Sequence, residues 1–238
     1  MKKSLHIPVW LTLAIILLIA ICGCLQGGAP QTETVTVGQE GADSVRTQVQ
    51  MAAGELTVRS GAAALLNATF TFGDPAWRPL VDYHVNDTVG ELTIQQPAAV
   101  PNLSGGREYA WILELNPDIP MSLDVELGAG TAELYLGDLN LTDLRAQMGA
   151  GTTLVDLTGD WEQDLNASLR GGVGTLTVRI PRETGTRVDA EGILGTINAP
   201  GLNVNGSTYT NDAYGETAAT LNITVQSGVG TINLEEGA

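Results

Sequence analysis

Few residues of this chain could do acid–base chemistry. Asp82 and His84 lie two positions apart in an alternating apolar segment, so they share one face of an extended strand. A carboxylate beside an imidazole can orient a general base or help to hold a metal ion. No nucleophilic serine motif and no other histidine after residue 6 accompany the pair. We therefore interpret it as a surface pair rather than a catalytic site.

Carboxylates also cluster around Trp161, at Asp160, Glu162 and Asp164, and again over 212–216. Paired carboxylates can cleave glycosidic bonds, and oxygen-rich loops can bind Ca²⁺. The arginines are scattered rather than gathered beside these groups, and neither run matches a calcium-binding loop. We predict no enzymatic activity, no metal site and no cofactor, and we interpret both runs as solvated loop charge.

The N-terminus predicts export. Lys2 and Lys3 precede an apolar run over 9–21, which is short for a membrane span and typical of a signal peptide. The sequence up to Cys24 resembles a lipobox, in which the cysteine is acylated and becomes the first residue. Cleavage would remove residues 1–23 and leave an extracytoplasmic protein, anchored by lipid to the cell membrane at the cell surface. An uncleaved N-terminal helix is the alternative.

The composition is strongly acidic. The chain carries 11 basic and 27 acidic side chains, a formal net charge of −16. Both lysines lie in the predicted signal peptide, so the exported chain would keep arginines alone as permanent cations. Such a surface repels nucleic acid, which we exclude as a partner, and it favours solubility. One cysteine would remain after cleavage, so no disulfide could form within the exported chain.

Seven asparagines stand in the N-x-S/T pattern of N-glycosylation acceptors in exported proteins. They are Asn67, Asn86, Asn102, Asn140, Asn166, Asn205 and Asn222. The same pattern arises where Asn and Thr recur on the outward face of alternating strands. From the sequence, glycosylation and plain surface alternation are both open interpretations.

Apolar and polar residues alternate along most of the exported chain, which predicts an all-β fold. The segment 24–43, rich in Gly, Gln and Thr, is predicted to be a flexible tether. Alternating strands over 44–97 indicate an N-terminal β module. Prolines and glycines over 98–108 indicate a seam, and a second β unit covers 109–238.

A Gly-x-Gly-Thr motif recurs in the second unit, with its threonines first 21 and then 23 residues apart. Complete copies and echoes occupy 127–131, 148–152, 171–175, 193–196 and 227–231. A period in the twenties is typical of stacked repeats, and glycine lets neighbouring coils approach closely at a bend. We predict a β-solenoid, a stack of short strands. Its stacked corners would be Gly128, Gly130, Gly149, Gly151, Gly172, Gly174, Gly228 and Gly230. A β-sandwich is the alternative.

The last complete repeat is delayed by residues 201–217, which are rich in Asn, Gly, Thr and Tyr. Insertions in solenoids tend to lie on one face and often carry binding residues. We predict a loop or hairpin extruded from the stack here, with Tyr209 and Tyr214 as candidate contacts for a partner. Packing of these two tyrosines back on the solenoid is the alternative.

Several motifs resemble the toast-rack family of envelope proteins. The resemblance to its N-terminal domain rests on residues 54–58, 66–72, 77–79 and 90–97. The resemblance to the repeat domain that follows it rests on Trp111, 115–120, the glycine repeats, 198–201 and 211–215. Related β-helical domains are provisionally named adhesins, and others belong to membrane proteins that modulate envelope-stress signalling. The resemblance implies a right-handed β-solenoid-like stack and supplies no catalytic residues.

We therefore expect a non-enzymatic, lipid-anchored surface protein that acts as a scaffold or adhesin of the envelope. Its partners would be the membrane, through the lipid, and an envelope glycan or protein. The first alternative is an envelope-stress sensor that binds an envelope component and signals through a partner protein. A glycan-active enzyme is the third and least favoured interpretation.

Overall fold

The computed structural model describes residues 30–98 and 109–237. Burial alternates along most of the strands there, as the sequence pattern predicts. The strands are β1 Gln31–Val37, β2 Ser44–Ser60, β3 Leu66–Phe72, β4 Leu80–Asn86, β5 Val89–Gln95, β6 Tyr109–Leu115, β7 Met121–Tyr135, β8 Leu141–Asp156, β9 Leu165–Ile180, β10 Gly185–Asn198, β11 Asn203–Asn205, β12 Thr208–Thr210 and β13 Thr220–Glu236.

Six long strands, β2, β7, β8, β9, β13 and β10, lie side by side in parallel. Each has two arms joined by a bend, and both arms turn apolar side chains toward one core. In β7, Leu123 and Leu127 point inward from the first arm, and Ala132 and Leu134 from the second. In β7 the inward residues have odd numbers before the bend and even numbers after it. The predicted β-solenoid is confirmed, as an open stack of bent strands.

A ladder of glycines runs along the bend. In spatial order its members are Gly54, Gly130, Gly151, Gly174, Gly230 and Gly195, each with φ between +133° and +157°. A Cβ on Gly151 would collide with the carbonyl oxygen of Gly130, because adjacent coils meet backbone to backbone here. The first glycine of each complete motif also faces a backbone carbonyl of the neighbouring coil. The predicted corners are confirmed, and Gly54 adds one that the repeat pattern did not reveal.

The coils do not stack in chain order. The last strand, β13, lies between β9 and β10, and pairs in parallel with both. The chain therefore leaves β9, skips one position to form β10, and returns to fill the gap. The C-terminal strand is consequently an interior member of the sheet, while β10 lies near its end.

The N-terminal end of the stack is built from shorter strands. The first arm of β2 pairs with β5, which pairs with β4, and the second arm pairs with β6, followed by β3 and β1. The flexible tether predicted over 24–43 is wrong for 31–37, because β1 pairs antiparallel with β3 along its whole length. The segment contains alternating threonines and valines, which suit a strand, although its overall composition is polar. Residues 24–29 lie outside the described part of the chain.

Strand β2 joins the two units that the sequence suggested. It pairs with β5 and β6 on one side and with β7 on the other. One hydrophobic cluster includes Phe70 and Leu92 from the first unit and Leu141 and Leu221 from the second. The predicted seam over 98–108, most of which lies outside the described residues, therefore does not separate two independent cores.

Gln96 completes the bend where β5 and β6 stand in place of one bent strand. Its buried Oε1 accepts hydrogen bonds from the backbone N–H groups of Ala52, at 2.7 Å, and Ala53, at 3.1 Å. The side-chain amide thus occupies the place that a neighbouring backbone takes at the other corners.

The insertion over 201–217 is not extruded. Strands β11 and β12 form a hairpin, and β12 pairs antiparallel with β10 at Arg187–Asp189. Asn211, which is 1% exposed, accepts a hydrogen bond from Thr186 N–H and donates to the carbonyls of Pro181 and Thr184. These hydrogen bonds hold the insertion against the start of β10, where β12 covers the first arm of that strand and leaves its second arm uncovered.

Candidate ligand-binding face

The outward side of the first arms is polar throughout. Three rows of side chains cross seven strands there, at the register that the backbone pairing gives. We call this surface the polar face. Its rows, from β5 to β10, are Glu91, Arg46, Ser122, Asp143, Asn166, Asn222, Arg187; then Thr93, Gln48, Asp124, Arg145, Ser168, Thr224, Asp189; and then Gln95, Gln50, Glu126, Gln147, Arg170, Gln226, Glu191.

The polar face follows from strict alternation in each first arm. Parallel strands lie about 4.8 Å apart, so side chains at matching positions form regular rows of hydrogen-bonding groups. The apolar pattern predicts the inward residues, and this surface is not among the sites inferred from it. The sequence does contain a signal for this surface. In these first arms the positions between the inward apolar residues are all occupied by polar residues.

A shallow groove of about 790 Å³ lies along this face. Arg46 and Arg145 border it, and their side chains are 70% and 74% exposed. Each guanidinium has one distant carboxylate, Glu91 at 3.8 Å and Asp124 at 3.9 Å. Ion pairs this long and exposed contribute little, so both guanidinium groups keep donors free for a ligand.

The outward side of the second arms differs, because its charges are paired with one another and apolar groups interrupt it. Arg59 donates to Glu114 at 2.6 Å, and Asn67 donates to the same carboxylate at 2.9 Å. These hydrogen bonds hold the pKa of Glu114 below its usual range, Arg59 being the larger cause. Ile112 and Tyr135, each 39% exposed, lie among these groups. The polar face is the better candidate for a ligand rich in hydroxyl groups.

The Asp82–His84 pair lies at the edge of the polar face, as alternation predicted. His84 Nδ1 is 3.5 Å from Asp82 Oδ2, and Nε2 is 3.2 Å from Glu91 Oε2. All three side chains are more than 40% exposed. The structure adds Glu91 to the pair but encloses no space around it where a substrate could be held away from water.

The three carboxylates near Trp161 have different surroundings. Trp161 packs against the core and donates to Leu157 O at 2.9 Å, and Asp164 accepts from Thr220 N–H at 2.8 Å. Asp160 and Glu162 are exposed. Across residues 30–98 and 109–237, no three His, Cys, Asp or Glu side chains are placed to hold a metal ion together.

The two tyrosines of the insertion differ in accessibility. Tyr209 packs against the core from β12, whereas Tyr214 is 40% exposed and lies close to Arg187. Thr208 and Arg187 both donate to Asp189, at 2.6 and 3.1 Å. These bonds hold the pKa of Asp189 below its usual range, with Thr208 the larger cause. Of the two predicted contacts, Tyr214 alone presents a large accessible surface.

Six of the seven sequon asparagines lie in the described residues, and Asn102 lies outside them. Asn86, Asn166, Asn205 and Asn222 are exposed on strands, whereas Asn67 and Asn140 are half-buried and hydrogen-bonded. Asn166 and Asn222 are direct neighbours in one row of the polar face. Their position agrees with the interpretation by surface alternation, and a glycan on either would cover part of that face.

Cys24 and the apolar run before it lie outside the described residues. No helix among residues 30–98 and 109–237 is long and apolar enough to cross a membrane.

Two solved structures resemble this one in different degrees. A protein from Clostridium sporogenes ATCC 15579, provisionally named a cell adhesion protein, is 30% identical, with a TM-score of 0.84. The match covers 87% of this chain and 100% of that one. A provisionally named adhesin from Bacteroides fragilis NCTC 9343 is 12% identical over 86% of this chain and 96% of that one, with a TM-score of 0.35. A comparison with curated proteins gave no match.

The family match extends into the glycine-ladder coils, as far as β9. Residues 26–179 match the N-terminal domain of toast-rack, so that domain runs from β1 to β9 and includes the first three coils of the repeat unit. This domain is longer than the module over 44–97 to which the motifs assign it. By this match over most of its length, and by its 30% identity to a solved structure of the same fold, the chain belongs to the toast-rack family.

Proposed function

We propose that this protein is a non-enzymatic surface adhesin, lipid-anchored through Cys24, which binds an envelope or cell-surface ligand through the polar face. The main support for this proposal is the polar face, which presents regular rows of amides, hydroxyls and charged groups on a stack of paired strands. The provisional name of the Clostridium sporogenes relative supports adhesion as the role. The ordered polar rows suit a hydroxyl-rich glycan better than an apolar partner.

Replacing both groove arginines tests the role of the polar face. We expect Arg46→Ala combined with Arg145→Ala to weaken binding to isolated cell envelopes by about tenfold or more, the loss of one or two charge-assisted hydrogen bonds. Binding is measured by co-sedimentation of the purified protein with envelope fractions, and then on a glycan array. Because both side chains are exposed, the melting temperature should hardly change.

Arg182→Ala is the control, because Arg182 is exposed in the turn before β10 and does not line the groove. It removes a positive charge without touching the groove. Equal binding by the double variant and the wild type would contradict the assignment of the polar face, and so would equal losses in the double variant and the control.

The anchor has its own test. Mass spectrometry of the protein from native membranes should identify an acylated Cys24 as the first residue, as the lipobox-like sequence predicts. Cys24→Ser should leave the protein unprocessed or release it from the acylated pool. An intact Met1 terminus on the membrane-bound protein would contradict the lipid anchor. It would not bear on ligand binding by the polar face.

A further inference from the structure

The second arm of β10 is an open sheet edge. On one side Gly192–Asn198 pairs with β13. On the other side β12 reaches only Arg187–Asp189, with one further bond from Ala190 N–H to Ser207 O. Within the described residues no strand pairs with the outer side of Gly192–Asn198. Residues Gly192 to Thr196 are all exposed, and their outward backbone donors and acceptors are available to another strand.

This edge lacks the features that protect sheet edges elsewhere in the molecule. Edge strand β1 contains Glu33 in an ion pair with Arg78, β4 carries the exposed Asp82 and His84, and β11 has three residues. Gly192–Asn198 reads GILGTIN, with no charge and no proline in a chain of net charge −16. Uncharged edges rich in β-branched and apolar residues are those that pair with another strand.

The largest apolar exposure of the described chain lies at the same place. Ile193 is 82% and Leu194 66% exposed, more than any other large apolar side chain there. Leu194 ends a row formed by the middle residues of the corner motifs, preceded by Val173 and Val229 at 57% and 46%. The most exposed member of this row is therefore the one at the open edge.

We propose that Gly192–Asn198 pairs antiparallel with the same segment of a second copy of this chain, forming a twofold dimer. The edge is bent at Gly195, so an occupant of its whole length must bend at the same place. Rotation by 180° about the bisector of that corner superimposes the bent edge on itself with the strand direction reversed. The partner's own edge therefore has the required shape.

The distribution of charge also favours a second copy of this chain as the partner. Two strongly acidic molecules repel each other over most of their surfaces, whereas this segment is neutral and can approach its copy. Antiparallel addition is also the way in which β12 already covers the first arm of β10. Pairing would bring Ile193 and Leu194 of both copies to the shared corner and remove them from water.

The test compares lysine substitutions on and off the edge in the full-length chain, purified in detergent. Light scattering should show a dimer of the 24.9 kDa chain at micromolar concentration. Leu194→Lys and Ile193→Lys should raise the dissociation constant at least about tenfold, because like charges then meet across the axis. Val173→Lys, the matched change two strands further in, should leave the dimer intact.

Hydrogen exchange provides the second measurement. The amides of Gly192–Asn198 that point away from β13 should become protected as concentration rises in the wild type and in Val173→Lys, and should stay unprotected in Leu194→Lys. A wild type that is monomeric throughout would overturn the proposal. Association that survives both edge substitutions, as it would through the N-terminal apolar segment, would also overturn it. Neither result bears on ligand binding by the polar face.

Discussion

Gly151→Ala is expected to cost more than about 4 kcal/mol of folding free energy, enough to prevent folding at moderate temperature. Gly151 has a φ of +134°, and a Cβ there would collide with the carbonyl oxygen of Gly130. Relief of that collision would require two coils to separate, which would break the hydrogen bonds between β7 and β8. The measurement is equilibrium unfolding in urea, or the yield of folded protein where the variant does not fold.

Gly61→Ala is the matched control for this prediction. Gly61 has nearly the same φ, +131°, but nothing lies within 4 Å of the place where its Cβ would be. It should show the backbone strain alone, about 1–3 kcal/mol. Equal destabilisation by the two variants would mean that conformation, and not the close approach of neighbouring coils, requires glycine at the corners.

Asn211→Leu is expected to cost about 3 kcal/mol or more. The substitution leaves Thr186 N–H and the carbonyl of Pro181 without the Asn211 side chain in a buried place, whereas the carbonyl of Thr184 keeps the hydrogen bond from Thr186 Oγ1. Each such group costs about 1–3 kcal/mol. The hairpin β11–β12 and the start of β10 should also lose protection from hydrogen exchange before the rest of the sheet, because Asn211 ties them together.

Asn203→Ala is the control for the asparagine. Asn203 is exposed in the same hairpin and makes one hydrogen bond, to Asp212 Oδ1 at 2.9 Å. We expect a loss of at most about 0.5 kcal/mol, as for an ordinary surface substitution. Similar losses for Asn203→Ala and Asn211→Leu would show that the buried hydrogen bonds do not hold the insertion in place.

Local patterns were enough to predict the class of fold and its corners. Alternation decides which side chains face the core, because a strand turns successive residues to opposite sides. The recurring Gly-x-Gly located the bends, since a stacked corner leaves no room for a side chain. The same alternation also defines the polar face, although the apolar positions alone indicate only which side chains lie in the core. The pairing of Asp82 with His84 also follows from a two-residue spacing.

Local patterns failed where a segment had little apolar character of its own. Residues 31–37 became a strand because β3 offered an unpaired edge, and no composition rule for linkers contains that information. Gln96 and Asn211 acquired their roles through contacts with backbone more than 20 residues away. A polar side chain can cap a distant backbone only where the fold has already left that backbone unpaired.

Alternation and recurring glycines are enough to specify a stack of bent strands with glycine corners and a polar outer surface. The order of the coils, with β13 between β9 and β10, and hence which edge is left open, is visible only in the folded molecule. This is because every coil carries a similar inward pattern and the same corner glycine. Each could therefore pair with any other, and the choice depends on connector lengths and on how the insertion packs.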